Sequence, residues 1–172
     1  LVAPTLAVME ENDFVLTSKN SDGFIPGEAG AAVLVGLAEP GKKGINILST
    51  GFGNEKSSIT SEEPLRADGL VLSINEALKK CNLKFQDLDF RITDANGKQY
   101  YFKEATLALT RILRERKEEF DIWHPADCIG ETGAAIVPSI LCIASLASKK
   151  NYLLGKRALC HFGNDNGERA VI

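Results

Sequence analysis

The chain has 172 residues, 44% of them hydrophobic and 25% charged, which fits one soluble domain or a large part of one. A formal net charge of −3 excludes nucleic acid as the main partner, because no basic excess is present to displace counterions from phosphates. No apolar run reaches bilayer thickness once Pro138 is counted, and no charged-then-apolar leader opens the chain, so no membrane is expected. The four cysteines (Cys81, Cys128, Cys142, Cys160) lie in apolar contexts without paired spacing, which reads as reduced thiols and a cytoplasmic location. The sequence opens on Leu1-Val2-Ala3 with no initiator methionine, as a processed chain or a piece of a longer one would.

In chain order, Leu6 to Phe14 predicts a short helix, followed by the glycine-punctuated loop Asn20 to Gly30. Ala31 to Ala38 and Ile45 to Phe52 read as a β-hairpin around Pro40-Gly41-Lys42-Lys43-Gly44. Ser61-Glu62-Glu63-Pro64 carries a helix-start signal. Ala67, Leu70, Val71, Ile74, Ala77, Leu78 and Cys81 then recur at helical spacing and predict one buried face. Phe90 to Thr93 predicts a strand and Gln99 to Lys117 a helix with Phe102, Ala105, Leu109, Ile112 and Leu113 inward. Phe120 to Trp123 predicts a strand, and Lys156 to Phe162 with Glu168 to Ile172 a closing strand pair.

Between these last strands lies Ile129 to Ala147, with no charge after Glu131 until Lys149. A helix apolar on all sides is wrapped by protein or by lipid, and its small residues and Pro138 favour protein. The expectation is a central helix opened by Gly130 and Gly133 and interrupted by Pro138. The preceding His124-Pro125-Ala126-Asp127-Cys128 leads into a helix start, where unpaired N–H groups favour negative charge. Strands alternating with helices predict an α/β fold with a mixed sheet.

Three stretches together resemble the C-terminal half of the β-ketoacyl synthases, which have the thiolase-like fold. They are Asp22-Gly23-Phe24-Ile25-Pro26-Gly27-Glu28-Ala29-Gly30, Gly130-Glu131-Thr132-Gly133-Ala134-Ala135, and His161-Phe162-Gly163-Asn164-Asp165-Asn166-Gly167. The resemblance spans nearly the whole chain and implies a single thiolase-like half over residues 1–172. It implies acyl thioesters of fatty-acid or polyketide metabolism as substrates, and an acyl carrier protein or acyl-CoA as their source. It also implies an N-terminal thiolase-like half carrying the nucleophilic cysteine.

The resemblance also marks what this sequence lacks. The family's two catalytic histidines correspond to Thr93 and Asp127, and its lysine to Ile122. A threonine hydroxyl cannot take up a proton near neutral pH, and an ionised Asp127 would repel a malonyl carboxylate. Decarboxylative condensation is therefore not expected, and the alternative is a non-catalytic partner or acyl-binding module. A third reading is acyl transfer or hydrolysis with a cysteine of the absent half and His124 or Asp127.

His124 and His161 are the remaining candidate bases, each against the plain reading of a strand-end histidine. Cys128 at a helix start is either a low-pKa thiol or an ordinary buried one. Arg111, Arg114, Arg116 and Lys117 read either as a face for an acidic carrier protein or as a solvated helix end. Cys160 and His161 are strand neighbours pointing to opposite faces, so they form no metal site with His124 and Cys128. No cofactor and no metal are expected. An unpaired outer face on the central helix, with Val137, Leu141, Ala144 and Ala147 on it, predicts a homodimer.

Overall fold

The computed structural model describes residues 2–39, 41 and 44–172. Leu1 and the expected hairpin-loop residues Pro40, Lys42 and Lys43 lie outside the described residues. The elements are α1 (Ala3–Glu11), β1 (Gly51–Asn54), α2 (Asp68–Cys81), β2 (Phe90–Thr93) and α3 (Gln99–Ile112). They continue with β3 (Ile122–Trp123), α4 (Ala126–Ile129), α5 (Ile136–Lys149), β4 (Ala158–Gly163) and β5 (Glu168–Val171). The strands form one mixed five-stranded sheet in the order β1-β5-β4-β2-β3. β2 runs parallel to β3 and β4, while β5 runs antiparallel to β4 and β1. The α/β architecture with a mixed sheet is thus present.

Strand alternation divides the core between two faces of the sheet. On one face, Leu159 and Val171 pack against Leu70, Ile74, Ala77 and Leu78 of α2 and Ala108 of α3. On the other, Phe90, Ile92, Cys160 and Phe162 pack against Ile136, Ile140 and Ala144 of α5. Each large apolar side chain so buried stabilises the fold by about 1.5–3 kcal/mol.

The α2 helix keeps the buried face its periodicity predicts, but it starts at Asp68 rather than Ser61. The reason is a cap from outside the helix. Glu55, just past β1, accepts from Gly69 N at 2.9 Å and supplies the acceptor that Ser61 to Glu63 were expected to give. The axis then lies directly on β1, for a Cβ at Gly51 would stand 1.9 Å from Ser73 O and one at Gly53 2.1 Å from Gly69 O.

The predicted hairpin is corrected. Among the described residues, 31–39 and 45–50 form no ladder, and the strand there begins only at Gly51 and pairs with β5. Val33, Leu34, Val35 and Leu37 are exposed, so the apolar run that suggested a strand lies at the surface. The inward face of α3 is present: Ala105 is buried beside Glu104 and Ala108; Leu109, Ile112 and Leu113 pack half-buried against the core, and Phe102 is half-buried. The helix ends at Ile112, however, rather than at Lys117.

The central helix is not continuous. Gly130 at φ 72° separates α4 from the single 3-10 turn Gly133–Ala135, and α5 follows. Pro138 lies in the first turn of α5, where a missing N–H breaks no intrahelical bond, so it helps start the helix rather than interrupting it. Nor is α5 wrapped on all sides. Ile136, Ile140, Ala144 and Ala147 are buried, Val137 and Leu141 are half-buried, and Cys142 and Leu146 are exposed.

Candidate functional site

Parallel β2 and β4 end side by side, with Thr93 opposite His161. Beyond their carboxyl ends the chain must turn away, which leaves a crevice of the kind that holds ligands in α/β sheets. Here it is a cavity of about 670 Å³. Phe24, Phe52, Ile136, Val137 and Phe162 form apolar wall, while Asp94, Asn96, Lys98, Tyr101, Glu131, Asp165 and Arg169 supply polar groups.

The polar end is anchored from several elements. Asp94 follows β2 directly, and its Oδ2 accepts from Gly163 N at 2.9 Å, joining the end of β2 to the β4–β5 turn. Burial pushes its carboxyl up to about 7, reinforced by the nearby Glu131 and opposed by the Gly163 N–H and by Arg169. Glu131 is held from both sides: Oε1 accepts from Gly133 N at 2.7 Å and Oε2 accepts from Asn96 Nδ2. Its backbone is fixed by the bridge between Pro26 and Glu131, where Gly27 N donates to Glu131 O at 2.9 Å.

Lys98 is buried with Nζ 3.5 Å from the Phe14 ring centroid and 3.5 Å from Asp165 Oδ2. Desolvation holds its pKa below the usual lysine value. Asp165 also accepts from Tyr101 Oη at 2.5 Å, and burial followed by that bond raises the Tyr101 phenol well above its ordinary range. Arg169 Nε donates to both oxygens of buried Glu104, at 2.8 and 2.9 Å, so its charge is already engaged.

The four residues anticipated from sequence fall into two pairs outside the residues that line this cavity. Thr93 and His161 are cross-strand neighbours, both buried. Thr93 Oγ1 lies 3.5 Å from Asp94 Oδ1 and accepts from Ala95 N at 3.2 Å, so it sits behind the cavity's edge. Burial, then the charges of Arg91 and Arg169, push the His161 imidazole down to about 3, which keeps it neutral and a poor base. His124 and Asp127 meet around the start of α4, Nδ1 to Oδ2 at 2.9 Å, with the His124 ring edge-on to Phe102. The Asp127 side chain is 65% exposed.

Of the remaining candidates, Cys128 is exposed rather than buried. Arg111 contacts Asp68 at 2.6 Å, and Lys117 donates to the Gln86 carbonyl at 3.0 Å, so half of the basic cluster serves the fold. Asp94, Asn96, Lys98 and Glu131 were not singled out by sequence reasoning. The available signal was Asp94-Ala-Asn96-Gly97 directly after a predicted strand, a place where side chains are delivered to a sheet's carboxyl edge.

No family model matches the sequence, and no curated protein matches it. Its fold is that of ketosynthases and thiolases. A ketosynthase from Xenorhabdus doucetiae, solved in complex with its chain length factor, superposes with a TM-score of 0.63 at 12% identity, covering 76% of this chain and 38% of that one. A type II polyketide ketosynthase, solved with its acyl-carrier protein and bound to the hexaketide, gives 0.62 at 15% identity, covering 73% and 36%. Human mitochondrial 3-ketoacyl-CoA thiolase gives 0.50 at 14% identity, covering 73% and 28%. This chain therefore spans between about a quarter and two-fifths of the length of these structures. Among the described residues, no helix is long and apolar enough to cross a membrane.

Proposed function

We propose that this chain is a β-ketoacyl synthase-like half that binds acyl thioesters of fatty-acid or polyketide metabolism. The observation that carries the reading is the cavity at the carboxyl ends of β2 and β4, apolar along one wall and polar at one end, in a thiolase-like fold. An acyl chain fits the wall formed by Phe24, Ile136, Val137 and Phe162, and a thioester carbonyl fits the polar end. An acyl carrier protein or an acyl-CoA would present it, in the cytoplasm.

A non-catalytic partner is the second reading, and a specific observation favours it. His161 is held neutral by burial, and by the sequence resemblance alone Thr93 and Asp127 replace the family's histidines. None of these groups supplies the proton handling that decarboxylative condensation uses. In either case the incomplete cover of α5 calls for a second thiolase-like half or, in its absence, a second copy in a two-fold dimer. Cys142 and Leu146 of the helix's exposed side would lie in that interface, rather than Ala144 and Ala147, which are buried.

The test is calorimetric titration of the chain with decanoyl-CoA, run beside a condensation assay with malonyl and decanoyl thioesters. Saturable binding without carbon dioxide release is expected. Absence of binding overturns the acyl-thioester reading. Condensation by the chain alone, abolished by substituting His124 or His161, overturns the non-catalytic one.

A further inference from the structure

Lys98 lines the cavity with a donor to spare. It is only 3% exposed, and its ammonium carries three N–H groups. One faces Asp165 Oδ2 at 3.5 Å, long for a hydrogen bond, and one lies against the Phe14 ring, whose centroid is 3.5 Å from Nζ. Among the described residues, none accepts the third within hydrogen-bond distance. The neighbours of Nζ fix where it stands. Asp165, Tyr101 and Phe24, whose ring centroid is 5.5 Å from Nζ, line the cavity together with Lys98. Phe14 is not part of the lining, so it backs the ammonium from the side away from the cavity. Arg169, the other cation of the lining, is already committed to Glu104, Tyr100 and two carbonyls. With Asp94, Glu131, Asp165 and Glu168 in the same lining, an uncharged oxygen suits the spare N–H better than an anion does.

We infer that Lys98 Nζ donates a hydrogen bond to the carbonyl oxygen of the acyl ligand, and so selects thioesters over chains of the same length that lack that oxygen. The inference rests on the acyl-thioester reading and gives the carbonyl of that reading a specific partner. Lys98 is a different residue from the family's lysine, whose place the sequence resemblance gives to Ile122. A buried donor without an acceptor costs free energy, and a ligand carbonyl removes that cost. The bond is also charge-assisted, which makes it stronger than one from a neutral donor. Asp165 and the Phe14 face hold the ammonium in place, and Asp165 is itself fixed by the Tyr101 hydroxyl at 2.5 Å. Both are therefore positioning residues for Lys98. The alkyl chain of the ligand has the apolar wall of Ile136, Val137 and Phe162 in the same cavity.

The experiment titrates decanoyl-pantetheine and S-decyl-pantetheine, the thioether that lacks only the carbonyl oxygen, into the full chain. The infrared band of the isotope-labelled thioester carbonyl is recorded alongside. Wild type should bind the thioester roughly tenfold more tightly than the thioether, with the carbonyl band moved to lower frequency. Lys98→Met should bind both alike and lose the band shift, whereas Lys98→Arg keeps a donor and should retain part of the preference. If Lys98→Met does not fold, decanal with cyanoborohydride reads the wild type directly. The imine formed by the Lys98 amine is reduced to a secondary amine, and peptide mass spectrometry should find Lys98 alkylated despite its burial and protected by decanoyl-pantetheine. Equal binding of thioester and thioether, a preference that survives Lys98→Met, or alkylation confined to exposed lysines such as Lys149 overturns the role of Lys98 and leaves the acyl-thioester reading standing. Binding of neither probe overturns that reading and the inference with it.

Discussion

The two faces of the sheet are finished to different degrees. On the α2–α3 face the helices cover the strands and most of the buried polarity is engaged: Arg169 meets Glu104, Tyr100 and two carbonyls, and His161 is buried neutral beside the charges of Arg91 and Arg169. On the α5 face one helix covers the middle of the sheet, a cavity remains at the carboxyl edge, and the helix's outer side carries exposed Cys142 and Leu146. The lesson is that buried polarity in this fold is structural where it is fully paired. It becomes chemically available only at the edge of the less finished face.

The largest effect should come from breaking the sealed face. Arg169→Leu leaves Glu104 buried without a partner and should cost about 3–5 kcal/mol in urea unfolding. A loss below about 1 kcal/mol would mean that face is open to water. The next test separates the two sides of α5. Ile140→Ala, at full burial, should cost about 2–5 kcal/mol, whereas Leu146→Ala should stay within about 0.5 kcal/mol in the monomer. Leu146→Glu should instead lower the molecular mass seen by light scattering at micromolar concentration. An unchanged mass would show that α5's outer side is not an interface.

The smallest effect is in pH dependence, where the two faces pull in opposite directions. His161 has a depressed folded pKa, so below about 6.5 the unfolded chain binds the extra proton and stability falls on acidification. Asp94 has a raised folded pKa, so between about 3.8 and 7 the folded chain binds the extra proton and stability falls as pH rises. Across pH 4 to 6.5 the two contributions oppose each other. Asp94→Asn should make stability rise more steeply with pH in that window, and His161→Leu should turn the slope downward. Urea midpoints measured every half unit would show whether the two substitutions act oppositely. If both move the slope the same way, one of the two protonation states is misassigned.

Much of the fold was legible because it rests on periodicity. The buried stripe of α2, strands β2, β4 and β5, and the closing antiparallel pair all follow from alternation and helical spacing. What was not legible depends on distant partners. The cap of α2 comes from Glu55, and the inward turn of Glu104 depends on Arg169 sixty-five positions later. The run 31–39 has strand composition, yet no described neighbour completes a ladder with it. The site was harder still. Thr93, Asp127, His124 and His161 were singled out from sequence, and the structure sets Thr93 beside His161, but the cavity is lined by Asp94 and Glu131, which only the folding of two separate loops brings to one place.

The most direct measurement for the claim that the cavity holds an acyl thioester is chemical-shift mapping of the isotope-labelled chain with decanoyl-pantetheine. Perturbations should concentrate at Asp94 to Tyr101, Glu131 to Val137 and Phe162 to Ala170, around the cavity and its turn. Perturbations confined to the outward residues 33–37 and the exposed side of α5, with the cavity silent, would contradict it.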